Sequence, residues 1–375
     1  MEFRDLKTQY LKNKDEIDSA IQSVLLSSHF IGGEPVRQLE EKLADYVGVR
    51  HCITCANGTD ALLLALMAWG IGDGDAVFVP DFTFFSTAEV VPWVKATPVF
   101  VDVEKDTFNI SSQSLEEAIQ EVIKDGKLIP KVVIAVDLFG QPADFPAIRA
   151  ITEKYNLLLL EDGAQGLGGR IGDKKACSFG DIATTSFFPA KPLGCYGDGG
   201  AIFTDNDEWA RLVQSYKVHG KEEDKYDNVR IGLNSRMDTL QAAVLLAKFD
   251  GFVNMEIDAV NRVAEQYSQY LSDVVEVPVV KEGFVSSWAQ YTILLESSVR
   301  REYVQQELKK SEIPTMIYYA KGIHQQKAMA QYLDSNGVYP VTESVCERCL
   351  SLPIHPYLNV KDANFIANKL CSLLR

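Results

Sequence analysis

A single lysine stands in an unusual setting near the middle of the chain. Lys191 ends the segment TTSFFPAK at residues 184–191, lies between Pro189 and Pro192, and is followed by several glycines. A lysine that is partly removed from water loses its proton more easily and can then attack an aldehyde. An isolated lysine is more commonly a solvated surface charge, so its neighbours in the fold decide between the two interpretations.

Two other segments carry groups that could act together with this lysine. The apolar run at residues 157–160 ends in Glu161 and Asp162, and such strand ends lie at the sheet edge where ligands bind in open α/β proteins. The segment NGTD at residues 57–60 precedes an apolar helical run, and the free N–H groups of a helix start attract anions. A structural aspartate and a simple helix cap are the alternative interpretations.

Together these segments provide a nucleophilic lysine, a carboxylate and an anion site, the groups that pyridoxal 5'-phosphate (PLP) requires. Other catalytic signatures are missing from the sequence, since it has no GxxxxGK[ST] loop, GxGxxG turn after a strand, GxSxG elbow or HExxH helix. Nucleotide hydrolysis, dinucleotide redox chemistry and zinc proteolysis therefore lose their main sequence signals.

The elements that must position these groups alternate in the first half of the chain. Short apolar runs predict strands at residues 51–55, 76–79, 98–101, 131–137 and 157–161. Between them, apolar residues at helical spacing predict helices at residues 34–47, 61–69, 86–94, 115–123 and 147–155. This repetition of apolar strands and helices predicts an α/β fold with a parallel sheet covered on both faces.

The pattern changes after Lys191. A strand is predicted at residues 201–204, followed by a long helical stretch over residues 237–270. Shorter strands at residues 289–295 and 314–319 and helices at residues 299–310 and 361–374 follow. We therefore predict a large domain at residues 1–245 and a smaller C-terminal α+β domain at residues 246–375.

Composition narrows the class of protein further. The chain of 375 residues has a formal net charge of −15, which argues against binding to nucleic acid. The N-terminal residues lack the basic start and apolar stretch of a signal peptide, so none is expected. The longest apolar runs are too short to span a bilayer. A cytoplasmic location without membrane contact is expected.

Seven cysteines include two C-x-x-C pairs, at residues 52–55 and 346–349. Zinc sites of this type have their pairs roughly 15–20 residues apart, whereas these pairs lie near opposite ends of the chain. Buried structural thiols and no metal are expected, with a zinc site or a redox pair as the alternatives.

The order and local sequence of these segments resemble the DegT/StrS-like sugar aminotransferases, a branch of the fold type I PLP enzymes. The resemblance covers the whole chain and is most specific around the lysine. It is carried by FRDL at residues 3–6, NGTDAL at 57–62, EDGAQ at 161–165, SFFPAKPLG at 186–194, GDGGA at 197–201, GLNSR at 232–236 and SLPIH at 351–355.

The resemblance implies roles around the cofactor ring. Lys191 would form the Schiff base with PLP and later move a proton between the sugar carbon and the cofactor carbon. Asp162 would keep the pyridine nitrogen protonated, and Gln165 would hydrogen-bond the ring hydroxyl. Phe84 would stack on the ring, with plain core packing as the alternative for this residue.

The resemblance also implies how the cofactor phosphate is bound. It would lie on the backbone of Gly58 and Thr59 and on the Ser186 hydroxyl. In the family, an asparagine matching Asn234 reaches the phosphate from the neighbouring subunit, so a homodimer with shared active sites is expected. The alternative for Asn234 is that it caps the helix beginning near Met237.

The substrate side matches the family less closely. A stretch with histidine, tyrosine and proline and a later histidine corresponds to YYAKGIH at residues 318–324. Tyr319 and His324 fit this stretch, but tyrosine replaces the first histidine, and alanine and glycine replace the prolines. His219 and Arg230 lie in stretches that approach the site in the family, and a surface role is the alternative for both.

The segment KPLGCYGDGG at residues 191–200 looks most like enzymes acting at carbon 3 of a UDP-linked N-acetylhexosamine, notably the 3-oxo-glucuronate aminotransferases. The implied reaction takes the amine of L-glutamate to a UDP-keto sugar for a surface polysaccharide such as the O-antigen of lipopolysaccharide. The alternatives are amination at carbon 4 of a UDP- or dTDP-4-keto-6-deoxy sugar, and a non-catalytic sensor. PLP-dependent sugar dehydratases carry histidine in place of the lysine, so Lys191 argues against that class.

Overall fold

The computed structural model of the chain describes residues 1–222, 227–297, 299–333 and 337–374. Its strands are β1 (His51–Cys55), β2 (Asp75–Pro80), β3 (Thr97–Val101), β4 (Ile129–Val136), β5 (Leu158–Asp162), β6 (Arg170–Ile171), β7 (Lys174–Lys175), β8 (Ile182–Ser186), β9 (Gly200–Thr204), β10 (Phe284–Val285), β11 (Tyr291–Leu294) and β12 (Cys349–Leu352).

The helices in the same residues are α1 (Leu6–Lys12), α2 (Lys14–Ser27), α3 (Glu34–Val47), α4 (Gly58–Ala68), α5 (Ser86–Trp93), α6 (Ser112–Asp125), α7 (Phe145–Tyr155), α8 (Asp207–Tyr216), α9 (Thr239–Gly251), α10 (Ile257–Leu271), α11 (Arg301–Lys310), α12 (Pro340–Arg348) and α13 (Val360–Leu374). Short 3-10 turns cover Leu138–Gly140, Ile323–Gln325 and Lys327–Tyr332, and a π-helical turn covers Phe252–Glu256.

Seven strands form one large sheet in the order β1-β9-β8-β5-β4-β2-β3. Within it, β8, β5, β4, β2 and β3 run parallel, whereas β9 is antiparallel to both of its neighbours. Successive residues of a strand point to opposite faces of the sheet, so alternate side chains of β2 pack into the hydrophobic clusters on its two faces. Val77 and Val79 join one apolar cluster, while Ala76 and Phe78 join another. The predicted α/β class and the mostly parallel sheet covered on both faces are therefore confirmed.

In helix α3, the spacing of apolar residues along the sequence determines the bounds of the helix and its buried face. Its apolar residues Val36, Leu39, Leu43 and Val47 are all buried, because their spacing puts them on one face of the helix. The helix has a proline in its first turn and ends at Gly48, whose φ of 87° is favourable for glycine. The structure confirms the helix predicted at residues 34–47.

Other elements depart from the prediction. Strand β8 lies in the segment before Lys191 that the sequence left unassigned, since its threonines are polar but buried. The strand predicted at residues 314–319 is wrong, because only Met316 makes an isolated bridge, to Ser351. The predicted strand at residues 289–295 shortens to β11, which pairs with β12.

The long helical stretch is confirmed with one interruption. Helices α9 and α10 run through it, and the π-helical turn joins them. One hydrophobic cluster is built from residues between Val260 and Leu370, while the clusters on the large sheet draw mainly on earlier residues. The domain division at residues 245 and 246 remains a prediction.

Two further sequence expectations concern thiols and membranes. All the cysteines are free thiols, and six are buried while Cys371 is half-buried, as expected of structural thiols. No helix in the described residues has the length and apolar character needed to cross a membrane.

Candidate active site

A cavity of about 720 Å³ opens at the carboxyl edge of the large sheet. The start of α4, the β2–α5 connection, the ends of β5 and β8, and two tyrosines near residue 318 form its wall. The site residues predicted from the sequence that line it are Gly58, Thr59, Phe84, Asp162, Gln165, Ser186, Lys191 and Tyr319.

Lys191 lies in the turn after β8, where its N–H donates to the Phe188 carbonyl over 2.8 Å. The side chain is half-buried in the cavity wall. Burial lowers its pKa to about 8, the negative charge of Asp162 opposes this change, and the positive charge of Arg4 adds to it. The lysine therefore loses its proton more easily than an ordinary lysine, as its apolar context predicted.

Asp162 ends β5 and is buried. Its Oδ2 accepts a hydrogen bond from Thr87 Oγ1 over 2.9 Å, and its Oδ1 accepts one from the Ala164 N–H over 3.2 Å. Burial raises the pKa of the carboxyl, although both hydrogen bonds and nearby Lys191 favour its charged form. Sequence reasoning missed Thr87, because nothing in the local pattern of α5 points to β5.

The turn at residues 57–60 both caps α4 and faces the cavity. Asn57 accepts a hydrogen bond from the Asp60 N–H over 2.8 Å, so the helix cap is confirmed. The anion site is compatible with this cap and remains a prediction. A Cβ added at Gly58 would lie 2.8 Å from the Ser186 Cβ. Glycine therefore lets the helix start approach the end of β8, which brings the two segments to one wall of the cavity.

Gln165, Phe84 and Tyr319 form the opposite part of the wall. Gln165 Oε1 accepts from the Phe139 N–H over 2.6 Å, and its Nε2 donates to the Tyr319 hydroxyl over 3.4 Å. The Phe84 ring is 55% exposed and lies 6.3 Å from the Tyr319 ring between centroids. Core packing, the alternative for Phe84, is therefore wrong.

The donors in this cavity fit PLP. A helix start with free N–H groups and the hydroxyls of Thr59 and Ser186 suit a phosphate. Asp162 is buried and hydrogen-bonded, as a partner for a pyridinium should be, and Lys191 is a primary amine with a lowered pKa. All of these residues line one cavity.

The other residues predicted for the site do not line this cavity. His219 and Asn234 are exposed, and Asn234 Oδ1 accepts from Arg236 Nη2 over 2.6 Å. Arg230 pairs with Glu222 at 2.7 Å. The helix-cap alternative for Asn234 is wrong, since α9 begins at Thr239 after its N-cap Asp238. Contacts of these residues with a second subunit or a substrate remain predictions.

His324 is held behind the cavity wall by Asp81. The ring Nδ1 of His324 lies 2.5 Å from Asp81 Oδ2, and the backbone N–H of His324 donates to Asp81 Oδ1 over 2.7 Å. The hydrogen bond to Asp81 raises the pKa of His324 above its ordinary value. Its Nε2 lies 3.6 Å from Glu343. A direct substrate contact by His324 remains a prediction.

Fold and site together define a class. A mostly parallel sheet with a lysine, a carboxylate and an anion-binding helix start at its carboxyl edge is the arrangement expected of a fold type I PLP transferase. Comparison with known proteins identifies the family: the profile of the DegT/DnrJ/EryC1/StrS aminotransferase family matches residues 11–371. The chain belongs to this family.

Individual relatives agree over the whole length. The chain is 43% identical over 98% of both chains to a Pseudomonas aeruginosa protein named UDP-2-acetamido-2-deoxy-3-oxo-D-glucuronate aminotransferase. It is 39% identical to an Acidithiobacillus ferrooxidans UDP-N-acetyl-3-dehydro-alpha-D-glucosamine 3-aminotransferase, over 97% of this chain and 95% of that protein.

A solved structure supports the same assignment. The chain is similar to the crystal structure of a DegT/DnrJ/EryC1/StrS aminotransferase from Brucella abortus, with 47% sequence identity and a TM-score of 0.97. The match covers 100% of this chain and 99% of that one. The family, the fold class, the aminotransferase activity and the PLP cofactor predicted from the sequence are confirmed.

Proposed function

We propose that this chain is a PLP-dependent aminotransferase that transfers the amine of L-glutamate to a 3-keto group of a UDP-linked N-acetylhexosamine or hexuronate. The observation that carries the proposal is the convergence of Lys191, Asp162 and the Gly58 turn on one cavity. The names of the two relatives support a UDP-linked sugar with a keto group at carbon 3.

Bound PLP supplies an electron sink for the charge that develops at the reacting carbon. Lys191 would hold the cofactor through its amine, and the same amine would carry the proton to and from the reacting carbon. Its lowered pKa supports both tasks, because a neutral amine is needed to attack and to accept a proton. Asp162 would keep the ring nitrogen protonated, and Gln165 and Phe84 would orient the ring.

The start of α4 would hold the cofactor phosphate through the backbone of Gly58 and Thr59, together with the Ser186 hydroxyl. Asn234 of the partner subunit adds a further donor, so that two chains build each site. The exposed position of Asn234 supports this arrangement, and so do apolar side chains exposed nearby, with Ile231 93% and Ile31 51% exposed. Ile31 forms a bridge with Asp238, close to the same segment.

Charge supports a shared site independently. Lys191 is the one cation among the described residues that line the cavity, whereas the carboxylates of Asp60, Glu89, Asp162 and Asp198 are all part of its wall. A UDP-sugar adds a diphosphate to this acidic surface. Cations from elsewhere would therefore stabilise binding, and we assign that task to Arg230 of the partner subunit. His219 of the partner subunit would add a hydrogen-bonding group, and Tyr319 and His324 would contact the sugar side.

The aminated sugar would supply a cytoplasmic pathway to a surface polysaccharide, such as the O-antigen of lipopolysaccharide. Two alternatives remain open to test. One is amination at carbon 4 of a UDP- or dTDP-4-keto-6-deoxy sugar, and the other is a non-catalytic sensor on the same fold. Lys191 in the cavity wall favours catalysis over the sensor.

One assay separates these functions. The PLP-loaded protein is incubated with L-glutamate and a panel of UDP-3-keto, UDP-4-keto-6-deoxy and dTDP-4-keto-6-deoxy sugars, and amination is followed by mass spectrometry. We expect amination of the UDP-3-keto sugars and formation of 2-oxoglutarate, with Lys191→Ala as the inactive control. Preferential amination of a 4-keto sugar would overturn the substrate assignment, and no amination together with tight sugar binding would favour the sensor.

A further inference from the structure

The N-terminal residues 3–5 lie between the proposed catalytic lysine and the C-terminal part of the chain. The Arg4 Nη2 donates to the Lys191 carbonyl over 3.2 Å. On the other side of the segment, the Phe3 carbonyl accepts from the Ile354 N–H over 3.3 Å. Asp5 then caps α1 through the Thr8 N–H. The position of Arg4 is thus fixed from both sides.

The positive charge of Arg4 is not cancelled by a contact. Arg4 makes no ion pair within the described residues, and its Nη1 is buried without a hydrogen-bond partner there. Glu256 is the main source of compensating charge, but its carboxylate already accepts hydrogen bonds from Gln9 and Tyr357. The guanidinium therefore keeps an effect on the neighbouring lysine.

Glu256 owes its position to the break in the long helix. It ends the π-helical turn Phe252–Glu256, and its side chain is buried. Such turns are rare and are found preferentially at functional sites. Here the turn holds a carboxylate whose charge acts on Arg4.

We propose that Arg4 is a positioning residue for Lys191, which holds the backbone of the lysine in place and disfavours the protonated form of its amine. This inference rests on the proposed function of Lys191. The physical reason is that a nearby positive charge destabilises a second one, most strongly where water is excluded. The direction agrees with the lowering of the Lys191 pKa by Arg4.

Other charged and titratable groups surround this pair. Asp162 at the end of β5 favours the protonated lysine. The groups whose charge acts on Arg4, or is influenced by it, are Lys248, Glu256, His355 and Tyr357. The carboxylates of Asp60, Glu89 and Asp198 line the same cavity as Lys191. The charge of Asp162 favours the protonated lysine and that of Arg4 disfavours it, so neutralising Arg4 removes a charge that opposes Asp162.

The test measures the protonation of Lys191 rather than turnover. Apo-protein is mixed with PLP at a series of pH values, the covalent adduct is trapped with borohydride, and the initial rate of labelling of the Lys191 peptide is measured by mass spectrometry. For the wild-type protein the rate should rise with a midpoint near the lysine pKa, about 8. Arg4→Gln should move the midpoint upward by about half to one pH unit, since one opposing charge is removed.

Three further variants make the outcome decisive. Arg4→Met is the second neutral variant, in case Arg4→Gln does not fold, and should give the same upward shift. Arg4→Lys keeps the charge and should keep the midpoint while losing part of the rate. Lys7→Gln removes an exposed charge from the same N-terminal region and should change nothing.

The results that would overturn the inference differ from those that would overturn the function. A folded neutral variant with the wild-type midpoint, or an Arg4→Lys midpoint shifted as far as that of Arg4→Gln, would disprove the role of Arg4. Absence of label on Lys191 in the wild-type protein would instead disprove the proposed role of Lys191. Folding of every variant is checked by circular dichroism and thermal unfolding.

Discussion

The cavity wall and the segment of residues 217–222 and 227–236 are held in very different ways. In the wall, Asp162 pairs with Val136 on one side and Thr184 on the other, in the middle of a seven-stranded sheet. The segment instead rests on isolated bridges, such as Val218 with Asn234, and half of its residues are exposed. A sheet edge can fix reacting groups within one chain, whereas an exposed segment of this kind leaves its side chains available to a second surface.

The largest effect is expected at the centre of the wall. Lys191→Ala should reduce turnover to background and remove the visible absorbance band of the bound cofactor, because the amine is both anchor and proton carrier. Lys248→Met is the matched control, since burial also lowers the pKa of Lys248 to about 8 but this lysine bonds to the Gly194 carbonyl outside the cavity. Near wild-type turnover by Lys191→Ala would contradict the assignment.

The second largest effect concerns the carboxylate beside this lysine. Asp162→Ala should lower the rate of the glutamate half-reaction by roughly 10²–10³-fold, the scale of removing one preorganised electrostatic partner, with a smaller effect on PLP retention. Thr87→Val removes one hydrogen bond to the carboxylate and should cost about tenfold or less. Stopped-flow absorbance measures both, and an unchanged rate for Asp162→Ala would refute its role.

The exposed segment is tested by mixing two inactive variants, Lys191→Ala and Asn234→Trp. If each site takes Asn234 from the partner subunit, a heterodimer contains one site with neither lesion. Mixed subunits should then regain about a quarter of wild-type activity, since roughly half of randomly mixed two-fold dimers are heterodimers. Mixtures that have exchanged subunits, as native mass spectrometry can verify, yet remain inactive would count against a shared site.

The smallest effect is expected behind the wall, at the pair of His324 and Asp81. His324→Gln should lower the free energy of unfolding by about 1–3 kcal/mol, because buried Asp81 loses a charged hydrogen-bond partner. The pKa of His324 is raised in the folded protein. Its charge therefore stabilises the fold fully below about pH 6.5, the unfolded value, and this contribution is lost as the pH rises through the raised pKa.

Urea unfolding at a series of pH values measures this difference. The gap between wild type and His324→Gln should be widest at mildly acidic pH and narrow towards alkaline pH. It should also narrow in stronger acid, because burial raises the pKa of Asp81 and the pair is lost once this carboxyl is protonated. Glu343→Gln is the control, since Glu343 faces His324 from a side chain that is 57% exposed and its replacement should stay within about 0.5 kcal/mol. A gap that widens with rising pH would contradict the charged pair.

Much of the cofactor site could be predicted from the sequence because its parts are local. The turn at residues 57–60 and the strand ending in Asp162 are recognisable within a few residues each, and the sheet brings strand ends to one edge whatever the details of packing. Helix α3 and strand β1 were predicted at their observed bounds for the same reason. Apolar periodicity decides such elements directly.

Only the tertiary structure decided which side chains surround these groups. Arg4 contacts Lys191 across 187 residues, Thr87 contacts Asp162 across 75, and Asp81 contacts His324 across 243. Strand β8 was not predicted because its threonines are polar. They are buried only in the folded chain, where β8 lies between β5 and β9. Hydrogen bonds between distant residues depend on how elements pack, and no local pattern along the chain encodes that packing.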